Sequence, residues 1–157
     1  MKFIYALVTL SLLFLISACG GPGEQASVPQ AQPAAASDAD IGDHIVHFSA
    51  QTTDQLPPAV ARQYGIVRSK NRAMLNVSVI SEETNTAVTA DVTVRTVNLA
   101  GQLKNVTMRK IQEQEAIYYI GETGISNRET LIFNISITPE GVKEASDVRF
   151  TREFYTN

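Results

Sequence analysis

Three segments of the chain alternate apolar and polar residues with a period of two, and this alternation limits the fold more than any other feature. They read AMLNVSVI, AVTADVTVRTV and ETLIFNISITP and begin at Ala73, Ala87 and Glu129. Because successive side chains of a strand point to opposite faces, each segment predicts a strand with one buried and one solvated face. The enrichment in valine and isoleucine agrees with this interpretation.

Four further segments show a weaker form of the pattern: DHIVHFSA, KNVTMRKI, AIYYIG and DVRFTREFYT. Turn-forming stretches such as TPEG and NLAGQ separate the strands. One short helix is expected in DQLPPAVARQYG, where Asp54 is placed to cap the start and Gly65 stands at the end. About seven antiparallel strands within residues 41–157 predict an all-β fold, an immunoglobulin-like sandwich, with a small β-barrel as the alternative.

The first 18 residues, MKFIYALVTLSLLFLISA, have the layout of a secretory signal peptide, with one cation, an apolar run and small residues before Cys19. The run is shorter than the roughly 20 residues that span a bilayer. The sequence ISAC resembles the bacterial lipobox, and Cys19 is the only cysteine of the chain. We therefore expect lipidation at Cys19 and attachment to the membrane through the acyl chains. By resemblance to lipoprotein sorting signals, Gly20 favours the outer membrane, with the protein facing the periplasm.

Residues 19–40 contain this cysteine and a stretch rich in Gly, Pro, Ala, Gln and Ser. Such a composition buries too little apolar surface to offset the entropy of ordering, so it predicts a disordered linker. Residues 41–157 then form one domain whose charges nearly balance. This balance, together with the expected periplasmic location, argues against nucleic acid as a partner.

The most distinctive stretch, YGIVRSKNRAMLNVSV, begins at Tyr64 and places Arg68, Lys70 and Arg72 on alternate residues before a strand. If the strand extends back through this stretch, the cations form a row on its solvent face, about 6.6 Å apart. Asn71 then lies on the buried face. The row either binds anionic groups of a partner or is a solvated strand face that prevents edge pairing.

Tyr118 and Tyr119 in AIYYIG complete the candidate binding residues. Neighbouring residues of a strand face opposite sides, so one ring can fill the core while the other stays exposed. An exposed tyrosine beside the basic stretch would make a binding patch.

The stretch AVARQYGIVRSKNRAMLNVSV, residues 59–79, resembles the central signature of DUF4426, a bacterial family named for a domain of unknown function. The likeness extends to GDHIVHFSA, GQLKNV, EAIYY and FTREFYTN, and so covers residues 41–157. The matching signature positions are Tyr64, Gly65, Arg68, Ser69, Lys70, Asn71 and Arg72. The resemblance implies a small secreted or lipid-anchored protein with a β-sandwich, and it implies no particular activity.

The chain offers little for catalysis. His44 and His47 are the only histidines, and three residues apart on a strand they face opposite sides, so they cannot bind one metal together. Ser69 and His47 are the conceivable nucleophile and base, but no Gly-x-Ser-x-Gly elbow accompanies them. Glu113 and Glu115 lie in a polar turn where solvated acids are usual. We therefore expect no catalytic residue, no metal and no cofactor.

The sequence leaves three functions open. The first is a non-enzymatic, lipid-anchored periplasmic module that binds another envelope protein, through the surface around Tyr64 to Arg72 or by strand addition at a sheet edge. The second is a binder of a small anionic ligand or envelope polymer through Arg68, Lys70 and Arg72. The third, ranked last, is a hydrolase that uses Ser69 and His47.

Overall fold

The alternating segments pair as antiparallel strands in a computed structural model that describes residues 37–157. The strands are β1 Ser37–Asp40, β2 His44–Thr52, β3 Arg72–Ser81, β4 Thr86–Ala87, β5 Ala90–Asn98, β6 Leu103–Lys104, β7 Arg109–Glu113, β8 Ala116–Gly124, β9 Glu129–Pro139 and β10 Ser146–Phe154. Six of them form one sheet in the order β1-β2-β3-β8-β7, with β4 also paired to β3. The other four form a second sheet in the order β10-β9-β5-β6.

The core lies between the inner faces of the two sheets, where the period-two alternation places the apolar residues. Most of the fully buried side chains come from the central strands β3 and β9: Leu75, Val77, Val79, Leu131, Phe133, Ile135 and Ile137. Burial of each such side chain stabilises the fold by about 1.5–3 kcal/mol. The predicted β-sandwich is confirmed, and the two sheets do not close into the alternative barrel.

The structure differs from the prediction in strand number, since it has ten strands where about seven were expected. The segment KNVTMRKI is not one strand. Its start pairs in the four-stranded sheet as part of β6, and its end pairs in the six-stranded sheet as part of β7, so the chain crosses between the sheets here. Strand β1 lies within the range predicted as linker. It pairs with β2 through backbone hydrogen bonds, which need no apolar pattern.

A helical segment covers part of the outer face of the six-stranded sheet. It consists of a 3₁₀ turn, Thr53–Gln55, and one short α-helix, α1, Pro58–Gln63. The predicted short helix is confirmed, and Gly65 ends it with a φ of 65°. The predicted cap is wrong, because Asp54 lies in the 3₁₀ turn and the N-cap of α1 is Pro57, which has no side-chain cap. Neither helical element among residues 37–157 is long and apolar enough to cross a bilayer.

This segment creates a second, smaller core on the outside of the sheet. Its buried members are Leu56, Ala61, Ile66, Met74 and Ile120. Met74 and Ile120 belong to β3 and β8 and have the parity of the outer face. The six-stranded sheet is therefore apolar on part of both faces, and the partly buried Tyr64 and Ile111 border the outer core.

Candidate binding site

The basic stretch lies in a loop, not on a strand. Strand β3 begins at Arg72, and residues 66–71 have no ladder partners. The Ser69 hydroxyl accepts the Asn71 N–H at 3.1 Å, and the Arg72 N–H reaches the Ser69 carbonyl at 3.4 Å. These local bonds replace strand pairing. The predicted row of cations at strand spacing is therefore wrong.

The cations of this loop have separate surroundings. Arg68 donates a hydrogen bond to the Asp54 carbonyl, and Arg72 pairs with Glu122 of β8 at 3.4 Å. Lys70 is exposed and forms no ion pair with another described residue. Asn71 was expected on the buried face, but its side chain is exposed, because the loop does not have strand parity.

The two adjacent tyrosines of β8 face opposite sides of the sheet, as predicted. Tyr119 is 5% exposed, and its hydroxyl accepts the Ala90 N–H at 2.7 Å, which links the two sheets inside the core. Tyr118 is 36% exposed on the outer face. Tyr119 is therefore a core residue, and only Tyr118 is available at the surface.

Tyr64 and Tyr118, far apart in the sequence, line the same cleft beside α1. The cleft has a volume of ≈ 250 Å³ and a mostly apolar lining. Strands β3, β7 and β8 supply its floor because residues of one parity on each strand face outward. The central lining residues are Tyr64, Met74, Asn76, Ile111, Tyr118 and Ile120.

Two polar side chains line the cleft, one buried and one at the rim. The Asn76 Oδ1 atom is buried and accepts no hydrogen bond from any group within residues 37–157. Such an oxygen costs about 1–3 kcal/mol unless a donor reaches it. At the rim, Glu113 accepts a hydrogen bond from the Gln63 amide at 2.6 Å. Hydrogen bonding to Glu113, followed by desolvation, raises the pKa of Tyr64 above its ordinary value of 10.0.

The structure does not bring the suggested hydrolase pair together. The Ser69 N–H donates to Thr53 Oγ1 at 2.9 Å, just beyond the end of β2. His47 lies in the middle of β2 and contacts Asp38 of β1 at 2.5 Å. The stretch from residue 47 to residue 53 spans about 20 Å at strand rise. No group of three potential metal-ligating side chains occurs among the described residues.

Asn76, Ile111 and Glu113 were not predicted as members of a site. Asn76 occupies an outward position of β3, which the sequence alone assigns to solvent. Its burial depends on the helical segment folding over that face, a long-range contact that periodicity does not describe. Glu113 was interpreted as a solvated turn residue, whereas the structure places it on the cleft rim.

A second, polar groove of ≈ 350 Å³ crosses the outer face of the four-stranded sheet. Its centre is a cross-strand row in which Arg95 of β5 and Arg149 of β10 flank Asn134 of β9. Neither guanidinium forms an ion pair with another described residue, although Asp147 lies one row away. This groove contains none of the residues that the sequence singled out.

The fold and the cleft define a small two-sheet β-sandwich with an open lateral cleft. The chain belongs to the DUF4426 family, a domain of unknown function whose model matches residues 38–157. This finding confirms the family resemblance seen in the sequence. Comparison with curated proteins finds no match.

Solved structures support the same assignment. A DUF4426 family protein from Pseudomonas aeruginosa PAO1 is 32% identical, with a TM-score of 0.68, and the match covers 76% of this chain and 94% of that chain. FetP from uropathogenic Escherichia coli strain F11, expressed in the periplasm, is 10% identical with a TM-score of 0.56, over 77% of this chain and 94% of that chain. A copper-bound single-residue variant of FetP from the same strain matches at 10% identity and a TM-score of 0.55, over 76% and 94%. At this identity, the FetP structures share only the fold with this chain.

Proposed function

We propose that this protein is a lipid-anchored, periplasm-facing module of the bacterial envelope that binds another envelope protein. The signal-like residues 1–18, the lipobox cysteine Cys19 and Gly20 support this location, although they lie outside the described residues. Expression of FetP, a protein of the same fold, in the periplasm is compatible with it. The observation that carries the binding function is the convergence of Tyr64 and Tyr118 on one apolar cleft.

The size of the cleft indicates what it binds. Pockets for drug-sized ligands have volumes of roughly 300–1,000 Å³, and this cleft is smaller, at ≈ 250 Å³. It suits one large side chain of a partner protein. Flanking tyrosines are typical of such contacts, because they offer a large rigid surface together with a hydroxyl.

The rim of the cleft indicates the chemistry of the inserted group. The exposed Glu113 carboxylate accepts hydrogen bonds, so the matching group is apolar and carries an N–H donor. A tryptophan indole meets both requirements, since its ring fills apolar space and its Nε1 donates. The cleft therefore takes a tryptophan-like side chain from the partner.

Photo-crosslinking in intact cells tests this proposal. A photoreactive amino acid replaces Tyr118 in the full-length protein, and Val142, a 42% exposed apolar residue in the β9–β10 turn, serves as the control position. Mass spectrometry then maps the crosslinked segment of the captured protein. We expect capture at position 118 but not at 142, with the crosslink beside an aromatic side chain.

A peptide of the mapped segment then measures binding to the full mature chain in detergent. This chain has no tryptophan, so indole fluorescence reports the peptide alone. Tyr118→Ala should weaken binding at least about tenfold, as truncation of a central interface tyrosine does. Equal capture at positions 118 and 142, or unchanged binding by the Tyr118→Ala variant, would refute the proposal.

The polar groove favours a second candidate function, the binding of an anionic ligand or envelope polymer. The guanidinium groups of Arg95 and Arg149, on either side of Asn134, can donate paired hydrogen bonds to carboxylate or phosphate oxygens. Binding of a polyphosphate probe, measured by calorimetry, should weaken with added salt and with Arg149→Ala. Arg68→Ala, which alters a cation outside the groove, is the matched control. Insensitivity to Arg149→Ala would exclude this function.

A further inference from the structure

Four of the six exposed large apolar side chains among the described residues lie at one end of the sandwich. They are Val67 at 64%, Leu99 at 73%, Leu103 at 67% and Tyr155 at 63% exposure. We call this end the apolar tip. The other two are Tyr118 in the cleft and Val142, 42% exposed, in the β9–β10 turn at the opposite end.

Hydrogen bonds join the segments of the apolar tip around the β8–β9 loop. The Ile125 N–H donates to the Asn71 carbonyl at 2.9 Å, which ties down the loop that contains Val67. The Lys104 ammonium donates to the Gly124 carbonyl at 3.3 Å, which attaches the β5–β6 hairpin with its two exposed leucines. The Thr156 N–H donates to a side chain of the same loop at 3.0 Å, which fixes the segment after β10.

Cations stand beside these apolar side chains. Arg68, Lys70 and Arg128 are exposed at the apolar tip, whereas Lys104 is paired with Glu129 at 2.7 Å. An exposed acid, Glu153, stands near the end of β10, before Tyr155. Apolar side chains interleaved with Arg and Lys suit a bilayer interface, where the former enter the acyl boundary and the latter meet anionic headgroups.

Strand β1 begins on the side of the sheet nearer the apolar tip. Ser37 pairs with Phe48 and Asp40 pairs with Ile45, so β1 runs antiparallel to β2. Strand β2 ends at Thr52, beside the apolar tip. The first residue of β1 is therefore nearer the apolar tip than the last, and Cys19 precedes Ser37 by 18 residues (37 − 19).

We propose that the apolar tip docks on the lipid bilayer, with Val67, Leu99, Leu103 and Tyr155 in the interface and the neighbouring cations on anionic headgroups. This inference rests on the proposed lipid anchor at Cys19. Docking at the end of the sandwich leaves the cleft on the side of the six-stranded sheet open to a partner protein.

Site-specific fluorescence quenching in the anchored protein tests the inference. Acylation consumes the thiol of Cys19, the only cysteine, so an introduced cysteine is the single labelling site. Leu103→Cys and Val142→Cys place a polarity-sensitive dye at opposite ends on matched exposed apolar positions. The protein is reconstituted in phosphatidylethanolamine–phosphatidylglycerol vesicles that contain a nitroxide-labelled lipid.

We expect the dye at position 103 to be quenched about threefold or more relative to position 142, and to shift its emission to the blue. Val67→Ser combined with Leu99→Ser should reduce this quenching. Lys70→Glu combined with Arg128→Glu should reduce it more on anionic vesicles than on phosphatidylcholine. Circular dichroism confirms that each variant is folded.

Vesicle flotation separates failure of this inference from failure of the anchor. If the protein floats with the vesicles but the quenching is equal at positions 103 and 142, docking of the apolar tip is refuted and the lipid anchor is retained. A protein that does not float overturns both.

Discussion

Replacement of Asn76 by leucine should stabilise the protein and weaken the binding of its partner. The side chain lies on the outward parity of the central strand β3, beneath the helical segment, and its Oδ1 atom is buried without a donor. Leucine removes this acceptor and puts apolar atoms against the lining residues of the cleft, where an adjacent volume of ≈ 250 Å³ leaves room for the larger side chain.

The expected gain follows from the cost of the unpaired oxygen. A buried acceptor without a partner costs about 1–3 kcal/mol, so its removal should raise the free energy of unfolding by a similar amount. For a domain of this size, each kcal/mol raises the unfolding midpoint by roughly 3–5 °C, which gives a rise of about 3–15 °C. Leucine also takes up part of the cleft volume, so the inserted side chain of the partner should bind more weakly, a stability gain at the expense of function.

Thermal and urea unfolding of the full mature chain measure the effect, and Asn134→Leu is the matched control. Asn134 lies on the central strand β9 of the other sheet, also outward, and its amide donates to the Arg95 carbonyl at 3.3 Å. The control loses a hydrogen bond and should not gain stability. If Asn76→Leu lowers the midpoint, or shifts it no more than Asn134→Leu does, the unpaired oxygen is not a cost and the reasoning is refuted.

Three further predictions concern the fold. Gly121→Val should lower the free energy of unfolding by about 1–3 kcal/mol, because the new Cβ would lie 2.6 Å from a valine methyl. Gly124→Ala is the control and should cost little, because its Cβ would meet open space. Urea unfolding of the two variants measures the difference. Tyr119→Phe should cost about 1–3 kcal/mol by orphaning a buried N–H, and Tyr118→Phe, at the surface, should cost little. Desolvation opposes ionisation of Glu129, but hydrogen bonds from a lysine, an asparagine and a backbone N–H outweigh it and lower its pKa below 4.5. The stability from this group is therefore present above 4.5 and lost as pH falls through the lowered pKa, and Glu129→Gln should flatten the acid limb of a stability–pH profile.

The period-two pattern predicted the sandwich well because it describes the inner faces of the strands. A slip of one residue moves every side chain to the other face, so an alternating segment such as β9 has one register that buries Leu131, Phe133 and Ile135. The same pattern assigned Tyr118 and Tyr119 to opposite faces correctly.

The pattern failed in the loop before β3. Arg68, Lys70 and Arg72 alternate with Ser69 and Asn71, so the segment had a charged half but no apolar half to bury. Without an apolar face to bury, this stretch gains little from joining a ladder, and the serine hydroxyl accepts a backbone N–H instead. The period of a sequence predicts a strand only when one of its two faces is apolar.

The candidate site was predictable only in part. Tyr64 and Tyr118 were both chosen as binding candidates, but their meeting depends on α1 packing over the outer face of the six-stranded sheet, a contact between distant segments. The exposed Leu99 and Leu103 were not predicted as part of a binding surface, because single apolar residues at turns are common. Their clustering with Val67 is a property of the folded chain.

The short edge strand β1 also has a mechanical consequence. With the proposed lipid anchor, a pull from the membrane would enter the described domain at Ser37, the first residue of β1, and act on the four residue pairs with β2. A pull along the strand would load these four pairs in shear, all at once. The contact between His47 and Asp38 adds a side-chain interaction between β1 and β2, in the middle of these four pairs. With the proposed lipid anchor, drag on the domain would load this edge pairing first, before the force passes through β2 to the core strand β3.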